Sequence, residues 1–425
     1  MSHVPSHTNI PLIKSVSANV SYQLTSRFVT AFASFLVARM IITAYPSLWG
    51  EYQTLITFVT VFWLLTDFGL NAVAVNWMSK PDSDTNIIFG SLLTLRTIMG
   101  IILMGISFAI LTILPYTIEL KIAISIGLIT LVTQGIRGAT NAIFQARLSY
   151  KYLFYAELVG TIGFVTMLWW FIQRNPTILE ISVVFVIAQI LMMTISLFLA
   201  HRLVSIRWIF NFSILKPMFI ATIPLGISLL FNLGNFKLDA LLLSVMKGTG
   251  DVGIYNAAYK FFEFALVIPT FFMNSMYPVL VTTFATSRTQ FASRMVTSFK
   301  ILLGVSLSGA VFGFVAAPVL IDLLGGSNAD LISDSVMILR ILIVIIPLFY
   351  VSSLLMWGVM IMGGQNYLIR VYVSAFATNL MLNLIFIPSY GYFAAAITTG
   401  ISEAVVLVLL GIKLSSLYKK GEFDA

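Results

Sequence analysis

Apolar residues run along this chain in stretches far longer than a soluble helix needs, and polar residues gather between them. Stretches bounded by charge, proline and glycine predict twelve helices. They cover residues 17–42, 50–78, 87–114, 119–146, 151–173, 178–200, 216–246, 252–284, 294–324, 335–362, 367–388 and 391–416. A spanning helix needs about 20 apolar residues, so each stretch is long enough to cross a bilayer. The longest imply tilt or projection beyond the hydrocarbon. The pattern predicts an all-α integral membrane protein of twelve transmembrane helices.

Composition agrees. The residues AVILMFWYC make up 59% of the 425 and charged residues only 9%, against roughly 25% charged in a soluble domain. Mean hydropathy is +0.99. Twelve spans with short loops consume the chain, and the longest outer loop, about a dozen residues around 325–334, leaves no room for a soluble catalytic domain. There is no cysteine, which excludes disulfides, iron–sulfur clusters and thiolate metal sites. His3 and His7 lie in a polar N-terminal tail and His201 at a loop edge, so no histidine metal site or Ser-His-Asp chemistry is available inside the membrane. Gly248-Thr249-Gly250 and Gly325-Gly326 lack the Lys-Ser/Thr of a phosphate loop. No metal, no cofactor and no enzymatic activity are expected. The first apolar stretch carries Arg27 and Arg39, unlike the short uncharged core of a cleaved signal peptide.

Charge sorting sets an orientation. With the N-terminus cytoplasmic, fourteen basic residues fall in cytoplasmic segments, from Lys14 and Lys80 to Lys419 and Lys420, and only Lys121, Arg174 and Lys247 fall outside. This positive-inside bias supports an even span count with both termini cytoplasmic. The net charge of +8 is therefore a topology signal, and nothing supports nucleic-acid binding.

Two strings suggest internal repetition. Gly50-Glu51-Tyr52 opens the second span and Gly253-Ile254-Tyr255 the eighth, each after a short outer loop. Either the strings are chance, or two six-helix lobes form a parallel repeat about an axis along the membrane normal. The repeat predicts an N-terminal lobe over 1–200, a cytoplasmic linker over 201–216 with Arg202, Arg207, Trp208 and Lys216, and a C-terminal lobe over 217–425. Prolines within spans concentrate late, at Pro217, Pro224, Pro269, Pro278, Pro318, Pro347 and Pro388. Each removes a helix hydrogen bond, and the kinks either bend during transport or are static.

Seven basic residues lie within spans: Arg27, Arg39, Arg96, Arg137, Lys237, Lys260 and Arg340, with the acids Asp67, Glu157, Asp239, Glu263, Asp322 and Glu403. A cation at a lipid-facing helix centre costs about 2.5–3.5 kcal/mol or more, so these side chains should turn inward to water, partners or an anionic ligand; Arg39 and Asp322, near span ends, can snorkel. Lys260 and Glu263 are one helical turn apart and can neutralise each other, whereas Lys237 and Asp239 diverge and need different partners. Arg27, Arg96 and Arg137 outnumber the first half's span acids, Asp67 and Glu157. Guanidinium forks match phosphate oxygens, so Arg27, Arg96, Arg137, Lys237, Lys260 and Arg340 are candidates to bind a diphosphate head group, with buried salt bridges as the alternative for any one of them. Glu403 has no basic residue within four positions and is either a proton or sodium relay or a neutral acid bonded to a neighbouring helix. Asp67, Glu157, Asp239 and Glu263 join it as candidate ion-coupling residues. Trp63, Trp77, Trp169, Trp170 and Trp357 read as interface anchors or packing.

Three stretches carry a family resemblance: Thr66-Asp67-Phe68-Gly69-Leu70-Asn71, Gly253-Ile254-Tyr255-Asn256-Ala257-Ala258-Tyr259-Lys260, and Leu382-Asn383-Leu384-Ile385-Phe386-Ile387-Pro388 with Tyr390-Gly391-Tyr392-Phe393-Ala394-Ala395-Ala396. The chain resembles the bacterial polysaccharide exporters, the O-antigen-type oligosaccharide-lipid flippases of the multidrug/oligosaccharidyl-lipid/polysaccharide exporter superfamily. The resemblance implies two six-helix lobes forming a V-shaped cavity. It also implies alternating access and flipping of an undecaprenyl-diphosphate-linked oligosaccharide across the bacterial inner membrane, with other polysaccharide assembly proteins as partners. Family cavities carry basic residues in the first and seventh spans, matching Arg27 and Lys237. The competing expectation is a cation-coupled multidrug antiporter of the same superfamily, which typically uses cavity acids.

Overall fold

The computed structural model describes residues 9–325 and 329–423, with side chains over 21–325 and 333–419. The tail with His3 and His7 lies outside the described residues. Among the described residues the chain is α-helical, in the order α1 (Asn9–Ala44), α2 (Pro46–Asp67), α3 (Leu70–Met78), α4 (Thr85–Ile113), α5 (Ile118–Gly127), α6 (Ile129–Ala146), α7 (Tyr150–Ile172), α8 (Ile178–Ala200), α9 (Phe212–Met246), α10 (Thr249–Ala265), α11 (Val267–Thr286), α12 (Arg288–Gly325), α13 (Ala329–Ile361) and α14 (Gln365–Phe423). Local signals start several of them. Asp84 caps α4 by accepting from the Asn86 and Ile87 amides, and Thr177 forms a capping box with Glu180 at the head of α8. Pro46, expected in a loop, instead opens α2, where its missing N–H costs nothing. Of the loop expected around 325–334, Gly325 instead ends α12 and Ala329 already begins α13; residues 326–328 lie outside the described residues.

Among the described residues eleven continuous stretches are long and apolar enough to span a bilayer, the last being Gln365–Lys419 with 55 residues. That last stretch is not one rod. Gly391 has φ 53 and ψ −134, non-helical values inside α14, and Thr398 Oγ1 donates to Asn383 Oδ1 at 2.7 Å. Fifteen residues of straight helix would hold those two about 22 Å apart, so the chain folds back at Gly391. Large apolar side chains face outward, Ile113 at 81% and Val315 at 73% exposed. Such surfaces suit acyl chains, not water. This is a multi-pass membrane protein.

The described chain divides into two compact units. Unit 1 holds the residues up to Met40 and Phe58–Gly226; unit 2 holds Ile41–Thr57 and the residues from Ile227 onward. The 201–216 linker expected from sequence falls inside unit 1, where the Ser205 amide donates to Asn86 Oδ1 and the Ile209 amide to the Gly90 carbonyl, so that the segment lies along α4. Unit 1 is cored by Leu70, Phe89, Leu92, Ile143 and Phe144. Unit 2 is cored by Tyr255, Phe262, Met273, Ile338, Leu342 and Tyr350. Within unit 2 the two G-x-Y strings meet each other: Trp49 Nε1 donates to the Gly253 carbonyl at 3.0 Å, and a Cβ on Gly50 would lie 2.0 Å from the Thr249 carbonyl oxygen.

Candidate functional site

In unit 1 the buried charge is paired. Asp67 ends α2, where Phe68 and Gly69 take positive φ (35 and 79) and break the helix before α3. A carboxylate at a helix C-terminus is disfavoured by the macrodipole, and Arg96 of α4 offsets it with Nη2 2.5 Å from Asp67 Oδ1. The Arg96 side chain is only 2% exposed, because Gly138 of α6 makes room: a Cβ there would sit 2.0 Å from Arg96 Nη1. This burial removes Arg96 from direct contact with a ligand and makes it a clamp on the α2–α3 break. Arg137, next to that glycine, reaches Glu157 Oε1 of α7 at 3.7 Å and donates from Nη1 to Gln189 Oε1 of α8 at 2.7 Å. Gln134 donates to the same oxygen at 2.9 Å. The Ser26 hydroxyl of α1 bonds Glu157 Oε2. Arg27 follows Ser26 and lies within electrostatic reach of Tyr150. Asp67 and Glu157, two of the ion-coupling candidates, are thus each held by an arginine.

Unit 2 handles its charge differently. Lys237 of α9 places Nζ 2.7 Å from Glu263 Oε1 of α10, and Lys260, one turn before Glu263, interacts electrostatically with both. The expected Lys260–Glu263 neutralisation is therefore shared: two lysines surround one carboxylate, with the Lys237 and Glu263 side chains 28% and 41% exposed. Two residues further along α9, Asp239 is fully buried and faces neutral donors. It accepts from Tyr255 Oη at 3.1 Å, Thr399 Oγ1 at 2.6 Å and Asn383 Nδ2 at 2.7 Å. Asn383 also donates to Asn379 Oδ1 at 2.8 Å. The fold-back at Gly391 is what brings Asn383 and Thr399 to one carboxylate. Glu403, isolated in sequence, receives the Ser352 hydroxyl from α13. The Tyr259 hydroxyl is buried without a hydrogen-bond partner, in electrostatic reach of Glu263, Asp239 and Glu403. Arg340 stands elsewhere in this unit: its Nε donates to the Phe314 carbonyl of α12 at 3.3 Å.

Residues 12–284 match the model of the polysaccharide biosynthesis protein family, well over half of the chain. The chain belongs to that family. This bears out the resemblance, whose Asp67 and Tyr255 strings lie within the matched residues. A probable flippase from Haloferax volcanii, AglR, is 27% identical over 181 residues, covering 40% of this chain and 36% of that protein; the match spans little more than a third of the relative's length. Two solved structures share the fold. The lipid II flippase MurJ in an inward closed conformation superposes with a TM-score of 0.76 at 14% identity, covering 92% of this chain and 86% of that one. An inward-facing multidrug resistance transporter of the MATE family, in the MOP superfamily, gives 0.74 at 13% identity, covering 91% and 95%.

For this polysaccharide biosynthesis family member, sequence reasoning found the charged residues and missed the neutral ones that hold them. Gln189, Ser26, Ser352, Thr399 and Asn383 carried no signal of charge. Tyr255 and Asn383 stand in the strings that gave the resemblance, and that was the one clue to them. The described residues include no group of three or more His, Asp or Glu that could hold a metal.

Proposed function

We propose that this chain is a flippase for a lipid-linked oligosaccharide. The cargo is an undecaprenyl-diphosphate-linked glycan, moved by alternating access from the cytoplasmic to the outer leaflet of a bacterial cytoplasmic membrane. In this reading the fold-back at Gly391 divides the last apolar stretch into two spans. The count is then twelve, in two six-helix lobes with both termini cytoplasmic.

The observation that carries the reading is the cluster of Lys237, Lys260 and Glu263. Two cations around one carboxylate leave a formal charge of +1, and the Lys237–Glu263 pair is partly open. A phosphate oxygen can compete with Glu263 for these ammonium groups at low desolvation cost, which the Arg96 guanidinium, only 2% exposed, does not allow. Arg27 and Arg137 are the corresponding candidates of unit 1. The Asp239 nest, with Glu403, is the candidate for coupling to a cation gradient. A carboxylate surrounded by hydroxyl and amide donors can exchange them for a proton or a small cation without breaking an ion pair.

The MATE-type fold keeps cation-coupled drug export as the second reading. Reconstituted vesicles with a labelled lipid-linked glycan, read leaflet by leaflet, separate the two. Flipping that falls in a Lys237→Gln/Lys260→Gln variant supports the anion reading. Glycan left in its original leaflet, together with gradient-driven uptake of a cationic dye, overturns it.

A further inference from the structure

Arg340 opens on a groove of about 660 Å³ walled by α12, α13 and the second half of α14. Every other lining residue is apolar, including Phe314, Val344, Ile397, Ile401 and Ala404. Val344 and Ile397 are half exposed or more, so the trench faces outward from the helices that form it. None of Lys237, Lys260 and Glu263 lines it.

The guanidinium is held from one side only. Its Nε takes the Phe314 carbonyl, and its plane lies 5.0 Å from the centre of the Phe314 ring. That carbonyl needs a donor because Pro318, four residues on, has no N–H to give it. The contact therefore pins Arg340 in place. No acidic side chain among the described residues lies within ion-pair distance of it. The result is a fixed guanidinium fork, inside an apolar helix, with no counter-charge from the protein.

Position along the helix completes the picture. Arg340 is six residues from Asp334, the nearest acidic residue before it on α13, so its Cα is about 9 Å along the helix from that polar position. Helical side chains lean back toward the N-terminus, which brings the fork nearer to head-group level. Val344 and Ala404 continue the trench toward the bilayer midplane.

We propose that this groove binds an anionic bilayer phospholipid, one acyl chain lying in the trench and its phosphate on the Arg340 fork. An apolar channel ending in one planar cation complements such an amphiphile, and a guanidinium fork fits phosphate oxygens. The inference does not depend on the cargo reading, since the lysine cluster and this groove share no residue.

Native mass spectrometry of the full chain, released from nanodiscs of mixed phosphatidylglycerol and phosphatidylcholine, tests it. One phosphatidylglycerol should survive delipidation per chain. Arg340→Gln retains a donor for the Phe314 carbonyl but loses the charge, and should weaken that retention roughly tenfold, the size expected for one charge-assisted contact. Ala404→Trp fills the trench from the opposing helix, leaves Arg340 itself in place and should do the same; it decides the matter alone if the first variant fails to fold. Equal retention of the two phospholipids, retention unchanged in a folded variant, or preferential retention of an added polyprenyl phosphate would overturn the proposal.

Discussion

Unit 1 and unit 2 both carry acids within their apolar helices and stabilise them by opposite means, partly exposed in the first and buried in the second. In unit 1, Asp67 and Glu157 face the guanidinium groups of Arg96 and Arg137. In unit 2, Asp239 and Glu403 face hydroxyls and an amide, and the lysines gather instead around Glu263. A buried guanidinium paired with a carboxylate resists change, because removing the acid strands its charge in low dielectric. A carboxylate among neutral donors can gain or lose a cation while its neighbours merely rotate. The difference assigns scaffolding to the first arrangement and adjustable chemistry to the second.

The largest expected effect tests the scaffold. Asp67→Ala leaves the Arg96 guanidinium buried without its partner and should cost about 3–5 kcal/mol of stability, read as a lower thermal midpoint in detergent. Adding Arg96→Met should recover most of the loss. A single variant as stable as the parent would mean that the pair is not the clamp described here. Next comes the open cluster. Lys237→Gln should reduce glycan flipping about ten- to hundredfold, the worth of one or two charge-assisted contacts, while the midpoint moves far less than for Asp67→Ala. Glu263→Gln removes the competing carboxylate and should leave flipping intact or faster. Loss of flipping in both variants would show that the ion pair itself is needed and that the lysines do not serve an anion.

Asp239→Asn sharpens the contrast further. Tyr255 and Thr399 both donate to one carboxylate oxygen, and an amide nitrogen turned toward them would leave a donor unmatched, costing about 1–2 kcal/mol. That is less than the scaffold variant, because no opposite charge is stranded. Transport should then lose its response to an imposed sodium or proton gradient. Gradient dependence that survives in the folded variant would pass the coupling role to Glu403 or remove it from this unit.

How much of this contrast was legible in the sequence depends on distance along the chain. Helix α8 was legible to the residue, Ile178–Ala200 against an expected 178–200, because Thr177 and Glu180 make its start a local matter. The separate needs of Lys237 and Asp239 were legible too, since residues two apart on a helix point to different sides. What held Asp239 was not. Asn383 and Thr399 lie 144 and 160 residues away, and only the positive φ of Gly391 brings them together. Asn and Thr in an apolar span give no charge signal, so the sequence reading left the partner of Asp239 unnamed. For Glu403 a bond to a neighbouring helix was one of two expectations, but the Ser352 hydroxyl that makes it, 51 residues away, could not be named from sequence.

The smallest effect concerns the prolines, for which hinge and static kink remained equal readings. Pro269, in the first turn of α11, has no N–H for the Ala265 carbonyl, and α10 ends there. Tyr350 of α13 donates its hydroxyl to that carbonyl at 2.9 Å, just as Arg340 serves the carbonyl freed by Pro318. A freed carbonyl that is already satisfied gains nothing from bending, so these two kinks belong to the static class. Among the described residues no side chain serves the carbonyls of Ser213, Ile220, Asn274, Ile343 and Leu384, which Pro217, Pro224, Pro278, Pro347 and Pro388 free, and those are the positions left able to flex. Tyr350→Phe should therefore cost only about 1 kcal/mol, a shift of a few degrees in the thermal midpoint, and leave the flipping rate unchanged. Pro224→Ala should instead slow flipping with little change in midpoint. If Tyr350→Phe alters the rate and Pro224→Ala does not, the assignment of fixed and moving kinks is reversed, and the bonded carbonyl is a latch.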